Sequence, residues 1–147
     1  MIYRKATQQD LESLSQAFNS YRMFYQKKAD VKAAYDFLLE RICNNDSEIY
    51  VALNDDKYVV GFIQLYPLLS STRMKKYWLL NDLFVVAECR GQGISVKLIE
   101  MAKDLVRSTN ACGMYLETEK RNKIGNNLYS RSGFKLMDDV NFYEWTL

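Results

Sequence analysis

Residues Val85-Val86-Ala87-Glu88-Cys89-Arg90-Gly91-Gln92-Gly93-Ile94-Ser95 carry an apolar, strand-like run through a glycine-bearing turn and into a helical pattern. Such a turn aims several free backbone N–H groups at one point, at the positive end of a helix dipole, and so makes a phosphate-binding device. A tight turn that holds no ligand accounts for the same residues, and both readings are open on this segment alone. It is not a P-loop, because no Gly-Lys-Ser/Thr follows. Val96 stands where a dinucleotide fingerprint would place its third glycine.

A second segment reads Asn122-Lys123-Ile124-Gly125-Asn126-Asn127-Leu128-Tyr129, followed by Gly133-Phe134. Helical spacing puts Asn122, Asn126 and Tyr129 on one face. A plain structural reading is also open: Asn122 as a helix cap, Tyr129 as a packed aromatic and Gly133 as a C-terminal cap.

The elements that must position these residues follow from periodicity. Met1–Lys5 suits a short strand. From Thr7 or Gln8 a helix begins whose residues Leu11, Leu14, Phe18, Tyr21 and Tyr25 form one apolar stripe. Asp30 can cap a second helix with Val31, Ala34, Leu38 and Ile42 on one face, stopped by the turn cluster Asn44-Asn45-Asp46-Ser47. Strands are expected at Glu48–Leu53 and Tyr58–Tyr66 around a hairpin loop, then at Lys76–Val86, whose near-continuous apolar run suits a strand covered on both faces. A long helix from Gly93 to Ser108, a strand at Gly113–Thr118, a helix at Lys123–Ser132 and two closing strands complete the order β-α-α-β-β-β-α-β-α-β-β. That is an α/β mixed sheet with helices on both faces.

Composition narrows the chemistry. The 147 residues suit one domain, 1–147, and 48% hydrophobic with 26% charged residues describes a folded chain. Histidine is absent, which removes Ser-His-Asp and Cys-His catalysis and histidine zinc sites. A net charge of +2 gives no reason to expect nucleic acid or a membrane surface as partner. Cys43, Cys89 and Cys112 lie far apart and form no Cys-x-x-Cys pair, so no metal site or disulfide framework is expected and a reducing cytoplasm is the natural setting. Arg4, Lys5 and Asp10 interrupt any apolar leader, and no run approaches the about 18 residues that span a bilayer.

Taken together, the two segments resemble the GNAT N-acetyltransferase superfamily, as a bacterial-type single-domain member. Arg90-x-x-Gly93-x-Ser95 resembles its acyl-CoA loop, (Gln/Arg)-x-x-Gly-x-(Gly/Ala). Asn122-x-x-Gly125-x-x-Leu128-Tyr129-x-x-x-Gly133-Phe134 resembles its later Asn-x-x-Ala-x-x-Leu-Tyr-x-x-x-Gly-Phe segment. Ser95 and Gly125 depart from the pattern, each by one small residue for another. Phrases around Tyr21–Tyr25 and Leu80–Val85 also look like a bacterial branch with polyamine- and histone-type acetyltransferases.

The resemblance implies transfer of an acetyl group from acetyl-CoA to an amine, with no metal. It implies that Leu83, Phe84 and Val85 offer backbone to the pantetheine arm, with an N–H near Val85 polarising the thioester oxygen. Arg90, Gly91, Gln92, Gly93, Ile94 and Ser95 would wrap the pyrophosphate, with Asn122 and Asn126 nearby. Lys120, Arg121 and Lys123 either meet an outlying phosphate or are simply solvated. Tyr129 matches the tyrosine cast as general acid toward the thiolate.

A general base must be a carboxylate, a water chain or bulk solvent. Asn81 and Asp82 interrupt a strand expected to be buried and, being adjacent, are expected on opposite sides. A buried carboxylate is costly unless partnered or functional, which makes Asp82 the first candidate and Glu117 the second. The acceptor, a small-molecule (polyamine-like) or peptide amine, is expected between the first two helices and the central strand, against Tyr21, Phe24, Tyr25, Tyr66 and Trp78. Rival readings are transfer of a longer acyl group, a catalytically weak acyl-CoA sensor, and a nucleotide-type phosphate module. Apolar residues near the end, Phe142, Tyr143 and Trp145, make a homodimer the expected assembly.

Overall fold

Strand β1 (Ile2–Lys5) opens the chain and lies at one edge of a five-stranded sheet in the order β1-β2-β3-β4-β5. The computed structural model describes residues 1–147, which form two units, Met1–Leu116 and Glu117–Leu147.

In the first unit a single 3-10 turn, Gln8–Asp10, leads into α1 (Leu11–Phe24). The apolar stripe behaves as its spacing requires: Leu11, Leu14, Ala17 and Phe18 are buried. Helix α2 (Val31–Asn44) begins where the Asp30 carboxylate accepts the Ala33 N–H at 3.0 Å, and it ends at Asn45, which turns the chain with φ 51°. Strands β2 (Glu48–Leu53), β3 (Val59–Ser70) and β4 (Lys75–Val85) each pair antiparallel with the strand before, and β5 (Met114–Tyr115) lies parallel to β4.

Helices cover both faces, as the patterning requires. On one face α1 and α2 bury Leu14, Phe18 and Leu38 against Val51, Leu53 and Phe62. On the other lies α3 (Ile94–Ser108), where Leu98, Ile99 and Ala102 are fully buried. Truncating a side chain such as Leu98 to Ala costs about 2–5 kcal/mol in a core of this kind. Gly61 lets the start of α3 approach β3 closely, since a Cβ there would lie 3.1 Å from the Ile94 methyl.

The central strands differ from expectation at one place that matters. Gln64 pairs with Asp82, but Leu65 pairs with Leu80, so Asn81 is an extra residue in β4. This bulge bends the strand and increases its twist. Pairing with β5 covers only Trp78–Met114 and Leu79–Tyr115 and stops before the bulge, which is why β5 is two residues long rather than the expected Gly113–Thr118. Beyond it, β4 continues to Val85 with β3 on one side and no strand on the other.

In the second unit α4 (Lys123–Arg131) is capped by Asn122, whose side-chain oxygen accepts the Gly125 N–H, and is followed by Gly133 with φ 87°. The two expected closing strands are absent: residues 134–147 form no helix or strand. A strand exists only by pairing, and residues 117–147 contain no strand for such a pair. Phe142, Tyr143 and Trp145 are 68%, 86% and 83% exposed. No helix is long and apolar enough to cross a membrane.

Candidate active site

The turn before α3 has the geometry that its glycines suggested. Gly91 and Gly93 adopt φ 76° and 78°, a region that costs other residues strain, and a Cβ at either would meet no protein atom within 4 Å. The turn is exposed from Arg90 through Gly93, while Ile94 is buried and anchors the helix start. The Cys89, Arg90 and Lys97 N–H groups bond within the turn, whereas those of Gly91, Gln92, Gly93, Ile94 and Ser95 find no backbone acceptor. Five adjacent donors at a helix N-terminus, beside open space, fit the phosphates of CoA. Arg90 bends back: its Nε donates to the Val85 carbonyl at 2.9 Å, and its guanidinium lies 5.7 Å from the Phe84 ring centre.

Pairing decides which backbone groups the preceding strand can offer. The Val86 N–H donates to Val60 O at 2.9 Å, so Val86 and, two residues earlier, Phe84 face β3. Leu83 and Val85 therefore present their N–H groups to the edge that β5 does not cover. Of the three expected backbone contributors, Phe84 is the exception. Its ring instead joins Tyr21 and Phe62 on the face covered by α1 and α2, with ring centres 6.1 and 6.2 Å away.

On that face a cavity of about 350 Å³ opens among α1, α2 and β4. Tyr21, Tyr25 and Tyr66 line it as expected, joined by Phe18 and Phe37. Phe24 and Trp78 do not line it. Phe24, one residue before Tyr25 on α1, is 56% exposed, and the Trp78 indole N–H donates to Thr109 Oγ1 at 2.9 Å. Asn81 and Asp82 both line the cavity, because the bulge cancels the alternation that would have sent them to opposite sides. Arg22 and Lys27 also line it. The helical spacing of Phe18, Tyr21, Arg22 and Tyr25 was the available sign of a shared face.

Asp82 is 4% exposed. Gln64 Nε2 donates to its Oδ2 at 2.7 Å, and Asn81 Nδ2 to its Oδ1 at 3.1 Å. The Ser47 hydroxyl donates to Gln64 Oε1 at 2.9 Å, at the far end of the amide that the Asp82 carboxylate orients. The Tyr21 hydroxyl, 3.3 Å from the Asn81 carbonyl oxygen, also faces the carboxylate. Burial pushes the Asp82 carboxyl above the usual range, and these neutral donors only partly offset it. Burial, with the Asp82 charge, also pushes the Tyr66 phenol up to about 12, so it remains protonated. Ser47 and Gln64 escaped the reading of the sequence; a glutamine inside Val59-Val60-Gly61-Phe62-Ile63-Gln64-Leu65 was the signal.

The second unit holds the remaining sequence candidates. Asn122 spends its amide on the Gly125 N–H and on Thr118 Oγ1, each at 3.0 Å. Asn126 donates to the carbonyl oxygens of Glu119 at 3.0 Å and Asn122 at 2.8 Å. Both therefore build the start of α4. Tyr129 is half-buried, its ring edge-on to Phe134 at 5.8 Å. Glu117 is exposed and lacks the burial that sets Asp82 apart. Lys120, Arg121 and Lys123 are exposed, with Arg121 paired to Glu119.

Comparison with known proteins identifies the family. The GNAT acetyltransferase family matches residues 11–134. An uncharacterized N-acetyltransferase of Bacillus subtilis, YhfO, is 36% identical over 147 residues, covering 100% of this chain and 97% of its own. A probable acetyltransferase of Haemophilus influenzae is 32% identical, covering 97% of this chain and 96% of its own. The crystal structure of a probable acetyltransferase superposes with a TM-score of 0.94 at 33% identity, over 100% of this chain and 98% of that one. With the donor-lined turn, the open strand edge and the buried carboxylate all in place, this chain belongs to the GNAT family and is an acetyl-CoA-dependent N-acetyltransferase.

Proposed function

We propose that this enzyme acetylates a primary amine, of a small molecule or a peptide, held in the cavity among α1, α2 and β4. The observation that carries this reading is Asp82: a carboxylate buried at an aromatic-walled cavity and held only by neutral donors. An alkylammonium loses its proton near pH 10.4 in water, so it needs a base before it can attack. Asp82 accepts that proton, and its raised affinity for protons brings it closer to the task. Tyr21, Tyr25 and Tyr66 favour the ammonium form on entry through their ring faces.

Acetyl-CoA supplies an activated thioester; the amine nitrogen bonds to its carbonyl carbon as the carbon–sulfur bond breaks, giving an amide and the CoA thiol. The Val85 N–H polarises the carbonyl oxygen, and Leu83 offers backbone to the pantetheine arm. The donors from Gly91 to Ser95, with Arg90 at the head of the turn, hold the pyrophosphate. Tyr129 donates the proton that the departing sulfur needs. Asn122 and Asn126 contribute by shaping the start of α4, and Glu117 is left as the reserve base.

Residues 1–147 act as one catalytic domain in this reading, and a single cooperative calorimetric transition is expected. The free thiols Cys43, Cys89 and Cys112 suit a cytoplasmic enzyme. A second copy of the chain covers Phe142, Tyr143 and Trp145, so light scattering at micromolar protein should give a dimer mass; a monomer mass contradicts it. The function itself is tested by thiol release from acetyl-CoA against an amine panel. Amine-dependent release that disappears in Asp82→Asn supports the assignment, and release independent of added amine refutes it.

A further inference from the structure

The cavity that holds Asp82 is also lined by two positive side chains. Arg22 is half-buried on α1, and Lys27 is exposed just past its end. The Arg22 Nη1 donates to the Lys28 carbonyl oxygen at 3.1 Å, a bond that leaves its charge uncompensated. Neither residue has a carboxylate within ion-pair distance. Arg41, whose charge also reaches Tyr66, shows the contrast: Glu40 holds it at 2.9 Å and Asp46 at 2.8 Å. The cavity thus has an acid that is buried, cations that are not neutralised, and aromatic rings in its lining.

We propose that Arg22 and Lys27 select an acceptor that carries an anionic group besides its amine, such as a small amino acid. The inference rests on the cavity being the acceptor site. The ammonium end of such a molecule lies toward Asp82 and its carboxylate toward Arg22 and Lys27, where a planar guanidinium can donate two parallel bonds. A diamine of equal length fits the Asp82 end equally well but brings a second positive charge against two unpaired cations. Polyamines, admitted by the sequence, are therefore poor acceptors.

Three straight-chain probes of one length separate these charges: γ-aminobutyrate, butylamine and putrescine. Calorimetric binding to the intact protein at low salt is expected to rank them in that order. The first should bind about tenfold tighter than the last, the size expected from two partly exposed charge contacts. Raising the salt should compress the range. The double variant Arg22→Gln, Lys27→Gln, checked for an unchanged circular-dichroism melt, should bring the three within about twofold of one another. Putrescine binding as tightly as γ-aminobutyrate overturns the proposal. So does a preference that survives in the double variant, or no binding of any probe. Acetyl transfer is scored separately. The expected ranking without acetylation of γ-aminobutyrate refutes the acceptor reading alone. Equal kcat/KM for all three refutes the charge selection alone.

Discussion

Gln64 Nε2 donates to Asp82 Oδ2 across 2.7 Å, and both side chains are buried. Ser47 bonds the other end of the same amide, and a flip would set the Gln64 carbonyl oxygen against the carboxylate and lose that bond. The carboxylate is thus held in place by a neutral partner. A cation there would have lowered its proton affinity and made it a weaker base; an apolar neighbour would have left it unheld.

Asp82→Asn should lower kcat/KM by about 10²–10⁴-fold, the range for loss of a general base. In the parent enzyme kcat/KM should fall on the acid side with an apparent pKa above the ordinary carboxylate value, and the variant should lose that limb. Stability moves the opposite way. A carboxyl raised by folding contributes most below its unfolded pKa and loses that contribution as pH rises through the folded one. At neutral pH, Asp82→Asn should therefore melt no lower than the parent. A pH–rate series beside thermal melts checks both, and an unchanged acid limb would remove Asp82 from the reaction.

Gln64→Leu tests the positioning partner. Removing a donor to the carboxylate raises its proton affinity further, so the acid limb should move to higher pH while activity survives on the plateau. Stability should drop by about 1–3 kcal/mol, since the Ser47 hydroxyl and the Asp82 oxygen lose a buried partner. A drop in Tm with no movement of the pH profile would make Gln64 purely structural.

Gly93→Ala asks whether the turn before α3 binds phosphate. The added Cβ meets no protein atom, so the folding cost is limited to holding alanine at φ 78°, about 1–2 kcal/mol. CoA affinity should fall by more than that strain explains, because the methyl occupies space beside the free N–H groups. Gly91→Ala at φ 76° is the matched comparison. Normal CoA affinity in both would place the phosphates elsewhere.

Arg4 and Asp10 make a prediction away from the site. Arg4 grips the carboxylate with Nη1 and Nη2, each at 2.7 Å, and the Thr7 N–H adds a third bond at 2.8 Å. Burial alone would raise the Asp10 carboxyl, but Arg4 and Thr7 outweigh it and hold it below its ordinary range. Its contribution to stability is therefore present above the unfolded carboxylate pKa and lost as pH falls through the lower, folded value. Asp10→Asn should destabilise by about 1–3 kcal/mol at neutral pH, and the gap should close in acid. A pH-independent difference would mean that packing, not charge, sets the effect.

The sequence showed most of the scaffold and part of the site, and the division has physical causes. Leu11, Leu14 and Phe18 announce α1 because helical spacing is local, and Gly91 and Gly93 announce a positive-φ turn because few other residues occupy one. The extra residue at Asn81 is not local: it arises from the pairing of β4 with β3, and alternation read from β4 alone put Asn81 and Asp82 on opposite sides. Gln64 gains meaning only when β3 lies beside β4 and Ser47 reaches it. Arg22 on α1 and Lys27 just past its end gain meaning only when that segment lies over the cavity. The closing strands failed because Phe142, Tyr143 and Trp145 have strand-like chemistry, while a strand also needs a partner.

Tyr129→Phe is the sharpest remaining test, because it removes one oxygen and leaves the ring. Phenylalanine keeps the ring that meets Phe134 edge-on at 5.8 Å, so the variant should keep its fold, which a circular-dichroism melt checks. If the hydroxyl supplies a proton to the sulfur, kcat should fall while CoA affinity stays nearly constant. A thiolate is already a fair leaving group, so the fall should lie toward the lower part of the about 10²–10⁴-fold range for general acid catalysis. Acceptors should be affected alike, since the proton goes to the thiol product and not to the amine. Equal kcat for parent and variant would assign Tyr129 to packing, and would leave Asp82, the Val85 N–H and the positioning of both substrates as the whole of the catalysis.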